Sequence, residues 1–74
     1  MTAMSIRNVR ARNLRVGDLI QTDVYPQLLE IIAATPFTGS VMLIELGETD
    51  DLGKYVTHFT AFNEEYIPVH NPVI

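Results

Sequence analysis

The sequence predicts an all-β fold, organised as a small barrel of five strands. Short apolar runs follow one another along the chain, and glycine, proline or acidic residues separate them at near-regular intervals. This pattern is typical of small barrels and sandwiches, because βαβ units would place longer helical patterns between the strands. With 74 residues, the chain has room for one domain, residues 1–74, and a domain of that size has little core of its own.

The first strand is predicted just before a tight turn. This strand, at about 6–11, alternates apolar residues with Arg10 and Arg12, which gives it one arginine-rich face. Gly17 suits the positive-φ position of a type II turn. After the turn, Leu19 and Ile20 resume a strand for two residues, which are not counted among the five strands.

The apolar run 28–34 is compatible with either a helix or a strand, because hydrophobic periodicity does not distinguish the two over seven residues. We favour a strand, since the run is short and rich in isoleucine. It is also bounded by Pro26 and by Pro36, and proline disfavours the α conformation in the residue before it.

The C-terminal half is expected to supply the remaining strands, at 40–46, 54–62 and 66–69, with an acidic loop between the first two. One tight helical turn is predicted at 63–65, before the last strand. Pro68 confines that strand to an edge or terminal position, because proline donates no hydrogen bond to a sheet. The two ends of the chain, residues 1–5 and 70–74, are expected to be loose.

Short motifs between residues 9 and 69 suggest a narrower likeness. They are Leu14-x-x-Gly17-Asp18-x-Ile20, Tyr25, Glu30-Ile31, Gly39 and Thr57-x-Phe59, in that order. In these motifs the chain resembles SH3-like barrels, and in particular the amino-terminal domain of the elongation factor P and initiation factor 5A group. That group presents a modified lysine or arginine on a loop between its third and fourth strands, whereas residues 35–39 here include no basic residue. The resemblance therefore implies the barrel and not the translation function.

Enzymatic activity is not expected from this sequence. It contains no cysteine, and neither Ser5 nor Ser40 lies in a nucleophile-elbow motif. The pairs Asp50-Asp51 and Glu64-Glu65 are adjacent in sequence, so their side chains point to opposite sides of an extended chain, and we interpret them as solvated charges.

No metal site, cofactor, small-molecule substrate or concave polar pocket is expected either. His58 and His70 have no spacing that demands convergence with a carboxylate. The isolated glycines at 47 and 53 are surrounded by acidic residues, which would repel a phosphate group.

Charge divides the chain into two unequal parts. The first 16 residues carry four arginines and no acid, whereas the remainder holds all nine acidic residues and Lys54. The arginines are Arg7, Arg10, Arg12 and Arg15. They are candidates for binding nucleic-acid phosphates, for pairing with acidic residues of this chain or of a partner, or for guarding a solvated edge strand. The sequence leaves these alternatives open.

Apolar residues make up 47% of the chain, which is generous for a domain with so little interior. Two apolar sets alternate along the predicted strand 40–46, and one of them has to face outward. The expected outward patch consists of Met42, Ile44 and Leu46, with Leu28 and Ile32 beside it. A homo-oligomer or a protein partner would cover this patch.

The sequence thus predicts a non-enzymatic interaction or structural module that self-assembles or docks on a larger complex. The alternative is a small nucleic-acid-binding barrel that uses the arginine strand. The N-terminus lacks the apolar stretch of an export signal, and no segment approaches the length of a membrane span. A cytoplasmic location is therefore expected.

Overall fold

A computed structural model of the chain describes residues 3–49 and 54–73. The strands of this part of the chain are β1 (Ala3–Arg10), β2 (Leu19–Ile20), β3 (Leu29–Thr38), β4 (Val41–Gly47), β5 (Tyr55–Phe62) and β6 (Tyr66–Val73). They form one antiparallel sheet in the order β1-β6-β2-β3-β4-β5. The all-β prediction is therefore confirmed, but the sheet has six strands rather than five and is not closed into a barrel.

The segment that was ambiguous in the sequence is a strand, as predicted. β3 pairs with β2 on one side and with β4 on the other. It continues past Pro36 to Thr38, four residues beyond the end of the predicted run 28–34. The register shifts between Pro36 and Thr38, and such an irregularity accommodates a proline because the ladder of hydrogen bonds is already interrupted there.

The turn before β2 also follows the prediction. Gly17 has a φ of 100°, and the Asp18 amide donates to the Arg15 carbonyl at 3.1 Å, which places glycine at the third position of the turn. The Gly17 amide donates to the Ile31 carbonyl at 2.9 Å, and the Ile31 amide donates to the Asp18 carbonyl at 2.8 Å. The turn is therefore attached to β3.

Where the structure describes them, the two ends of the chain differ from the prediction; residues 1–2 and 74 lie outside the described residues. β1 and β6 pair along their whole length, from Ala3 opposite Val73 to Arg10 opposite Tyr66, so residues 3–5 and 70–73 are strand residues rather than loose ends. β6 is also not an edge strand, because it lies between β1 and β2. Pro68 is tolerated there because the two-residue β2 meets β6 at the single register pair of Leu19 and His70.

The helical turn is found elsewhere than predicted. Residues 63–64 form a tight turn between β5 and β6, in which the Glu65 amide donates to the Phe62 carbonyl at 2.9 Å. The 3-10 helix is instead Ala11–Asn13, directly after β1. Its first two amides donate to the Glu65 and Asn63 carbonyls at 2.8 and 3.1 Å. These bonds attach the end of β1 to the β5–β6 turn.

The core contradicts the outward placement of the predicted patch on β4. Met42, Ile44 and Leu46 are all buried, at 8% exposure or less. Their outward neighbours Val41 and Leu43 are half-buried. Both sets are apolar, so the alternation along β4 identifies two faces without saying which one packs inward. The buried members of the core are Ala11, Leu14, Ile20, Leu29, Ile31, Met42, Ile44, Leu46, Ala61, Ile67 and Val69.

Candidate functional site

A polar cleft of about 600 Å³ lies beside β1. Its lining residues are Arg7, Asn8, Val9, Arg10, Asn13, Arg15, Asp18 and Tyr66. The sequence predicted no concave polar pocket, and that prediction is wrong. Three of the four N-terminal arginines line this cleft, so the fold gathers residues that the sequence identified only as a charged segment.

The cleft lies beside β1, the terminal strand of the sheet. Four consecutive residues of that strand, 7–10, line it, together with Tyr66 of β6 and with Asp18, which directly precedes β2. Because β6 lies between β1 and β2, the cleft extends from β1 across β6 to Asp18.

At one end of the cleft, Glu64 binds two arginines. Its carboxylate accepts a hydrogen bond from the Arg10 guanidinium and lies 2.7 Å from Nη1 of Arg12. The Arg10 guanidinium also lies 5.0 Å from the centre of the Tyr66 ring, within cation–π range. The hydrogen bond with Glu64, followed by the influence of Tyr66, raises the pKa of Arg10 above its ordinary value. Arg10 therefore remains charged at any pH at which the protein is handled.

The backbone explains why Glu64 meets these arginines. Glu64 belongs to the turn between β5 and β6, and the 3-10 helix donates two backbone hydrogen bonds to that same turn. Arg10, which directly precedes this helix, and Arg12 within it are thereby held beside the carboxylate. Of the alternatives that the sequence left open, pairing within the chain is the one observed for Arg10 and Arg12.

At the other end of the cleft the arginines are more available. Asp18 accepts a hydrogen bond from the Arg15 backbone amide at 2.9 Å, and its other oxygen lies 4.0 Å from Nη2 of Arg7. That second contact is long, and the Arg7 side chain is 63% exposed. Within residues 3–49 and 54–73, the Arg15 guanidinium has no carboxylate at salt-bridge distance. Arg7 and Arg15 can thus bind an external anion without first losing a strong partner.

The predicted apolar patch is not found as a surface. Its three β4 members are buried, while Leu28 and Ile32 are half-buried. The large apolar residues that are exposed in the described part of the chain are Ile6, Val16, Val24, Phe37, Tyr55, Phe62 and Tyr66. Two of these, Ile6 and Tyr66, belong to β1 and β6 and therefore lie at the end of the sheet that carries the cleft.

The histidines do not build a second site. His58 forms a 2.7 Å hydrogen bond through Nδ1 with the Tyr55 hydroxyl, and the two exposed rings stack. In the part of the chain that the structure covers, no group of three or more histidine, aspartate or glutamate side chains is placed to hold a metal ion.

Asp18, Tyr66 and Glu64 are the site residues that sequence reasoning missed. Tyr66 lies directly opposite Arg10 in the β1–β6 ladder, although the two residues are 56 positions apart in the sequence. This contact can be predicted only if the first strand is known to pair with the last, and no local sequence pattern indicates that pairing.

No protein-family model, curated protein or solved structure matches the chain. The likeness to SH3-like domains therefore stays a prediction. No helix among the described residues has the length and apolar character needed to cross a membrane.

Proposed function

We propose that this chain is a non-enzymatic interaction module that docks on an acidic surface of another protein through its arginine-lined cleft. One observation carries the proposal. The cleft is lined by Arg7, Arg10 and Arg15, with Asp18 as the acidic residue among its lining residues. Guanidinium groups bind carboxylates through paired, charge-assisted hydrogen bonds, so such a concavity favours an acidic partner.

The chemistry of the cleft supports binding over catalysis. Arginine is permanently protonated at neutral pH and so does not act as a general acid or base. The carboxylate of Asp18 already accepts a hydrogen bond from the turn to which it belongs. No nucleophile paired with a base lines the cleft.

Nucleic acid is the second candidate, because three arginines and the aromatic Tyr66 line the same cleft. Two observations make it the weaker one. Arg10 and Arg12 are already paired with Glu64, and the chain as a whole has a formal charge of −4, which opposes the approach of a polyanion. An acidic patch on a protein carries fewer charges and meets less of this repulsion.

The proposal is tested by titrating the protein with a short oligo-glutamate peptide at low salt, followed by NMR of the backbone amides. Arg7→Gln combined with Arg15→Gln should weaken binding about tenfold or more, since each charge-assisted hydrogen bond contributes about 1.5–3 kcal/mol. The matched control is Lys54→Gln, which removes an exposed positive charge that does not line the cleft. It should leave the affinity nearly unchanged.

A DNA oligonucleotide of equal length serves as the competing ligand. Tighter binding of the oligonucleotide than of oligo-glutamate, with a steep salt dependence, would favour the nucleic-acid function instead. Equal losses of oligo-glutamate affinity in the cleft variant and in Lys54→Gln would show that the cleft has no special role.

A further inference from the structure

The outer edge of β1 is open. β1 is the terminal strand of the sheet, and throughout the described residues its hydrogen-bonded neighbour is β6. In an antiparallel pair roughly half of a strand's peptide groups point away from the partner. An eight-residue strand therefore presents a row of amides and carbonyls at its free edge, and such a row is a template for another strand.

The cleft borders this same strand, since residues 7–10 of β1 line it. β1 therefore combines an extended edge backbone with the positive charges of Arg7 and Arg10. A second copy of β1 is a poor occupant, because the strand contains Arg7 and Arg10 and no acidic residue. Pairing of two such strands would add positive charge at the interface without any acidic residue of β1 to compensate it, which is unfavourable.

The two faces of β1 at this edge differ in chemistry. Arg7 and Val9 are paired in register with the buried Val69 and Ile67, so this face is continuous with the core side of the sheet. Asp18 contacts Arg7 on this face. Ile6 alternates with Arg7 and therefore lies on the opposite face, where it is 63% exposed.

We infer that the acidic partner binds as an added strand on the outer edge of β1, with carboxylates on the face of Arg7 and β-branched or apolar residues beside Ile6. This inference rests on the proposed function and specifies its geometry. Backbone hydrogen bonds hold the added strand, and the cross-strand pairs on the two faces select its sequence. The partner is therefore an extended segment in which acidic and β-branched residues alternate.

The experiment uses three peptides of about eight residues, the length of β1, in which Glu and Thr alternate. One is unmodified, one is N-methylated at every Glu, and one is N-methylated at every Thr. Alternate amides of a strand point to the same edge. N-methylation at one residue type therefore removes the amides that would donate to β1, whereas N-methylation at the other type removes only amides that face solvent. Binding to the intact protein is followed through the amide signals of residues 3–10.

Added-strand binding predicts that one methylated peptide loses at least about tenfold in affinity while the other stays close to the unmodified peptide. The unmodified peptide should also slow hydrogen exchange of alternate β1 amides. The Arg7→Glu variant should bind a peptide of alternating Lys and Thr more tightly than the peptide of alternating Glu and Thr. Because Arg7 is exposed, this charge reversal tests whether the charged side chains of the peptide lie beside residue 7 without disturbing the core.

Three results would overturn the inference. If both methylated peptides bind as tightly as the unmodified one, the cleft binds acidic chains by charge alone, and the proposed function survives without strand addition. If oligo-glutamate and all three peptides fail to bind, the proposed function fails as well. If the β1 signals of the protein alone shift with its concentration, a second copy and not an acidic partner occupies the edge.

Discussion

Replacing Ile44 tests whether β4 packs as the structure shows. Ile44 is fully buried at 0% exposure and lies between Ala34 of β3 and Phe59 of β5 in the sheet register. Truncating such a side chain to alanine removes its transfer free energy and leaves a cavity, which together cost about 2–5 kcal/mol. Domains have about 0.05–0.15 kcal/mol of net stability per residue, so this loss is a large part of what a 74-residue chain possesses.

The assay is urea or thermal unfolding of Ile44→Ala beside the matched variant Leu43→Ala, which truncates the half-buried neighbour on the opposite face of β4. For a domain of this size each kcal/mol lowers the thermal midpoint by about 4–8 °C, so Ile44→Ala should lose about 8 °C or more. The thermal midpoint of Leu43→Ala should fall clearly less, because the half-buried Leu43 side chain buries less apolar surface than that of Ile44.

Protein concentration separates a core position from an interface position. If Ile44 is in the core of the monomer, its loss of stability should be the same over about a hundredfold range of concentration. An effect that shrinks as concentration rises would instead place Ile44 between two copies of the chain, as the sequence suggested. Equal losses for Ile44→Ala and Leu43→Ala would likewise refute the assignment of inner and outer faces.

Two further substitutions test the turn and the cleft. Gly17→Ala should destabilise the protein by about 1–2 kcal/mol in chemical unfolding, because an L-residue is strained at a φ of 100° even though open space surrounds the site. An unchanged free energy of unfolding would mean that the backbone of the turn relaxes without cost. Glu64→Gln should change stability by less than about 1 kcal/mol, since its ion pairs are exposed, yet it should increase the affinity for oligo-glutamate by releasing Arg10 and Arg12. Glu65→Gln is the matched control from the same turn, and an equal gain in that variant would show that the effect is one of net charge.

Several features of the fold were determined by local sequence. The positive φ of Gly17 follows from the turn residues around it, and the strand conformation of residues 29–34 follows from a short run that is rich in isoleucine and bounded by prolines, although β3 itself continues past Pro36. Both are properties of a few neighbouring residues, so the backbone preferences of those residues are sufficient to predict them. The concentration of arginine in the first 16 residues is equally visible without a structure.

The inward face of β4 was not determined locally. Val41 and Leu43 are as apolar as Met42 and Ile44, and a shift of one residue in register would exchange the two sets. Pairing with β3 and β5 over the whole strand places Met42 and Ile44 against the core. That choice depends on the joint packing of three strands, which the pattern within one strand does not contain.

The cleft required the tertiary structure for a related reason. Arg10 meets Glu64 and Tyr66 because the first strand pairs with the last one and the 3-10 helix is bonded to the β5–β6 turn. These contacts join residues more than 50 positions apart, and closing so long a loop is favourable only when the whole sheet forms. The sequence by itself therefore determined which charges the N-terminal segment carries, while only the pairing of the chain's two ends decided that they line a cleft beside β1.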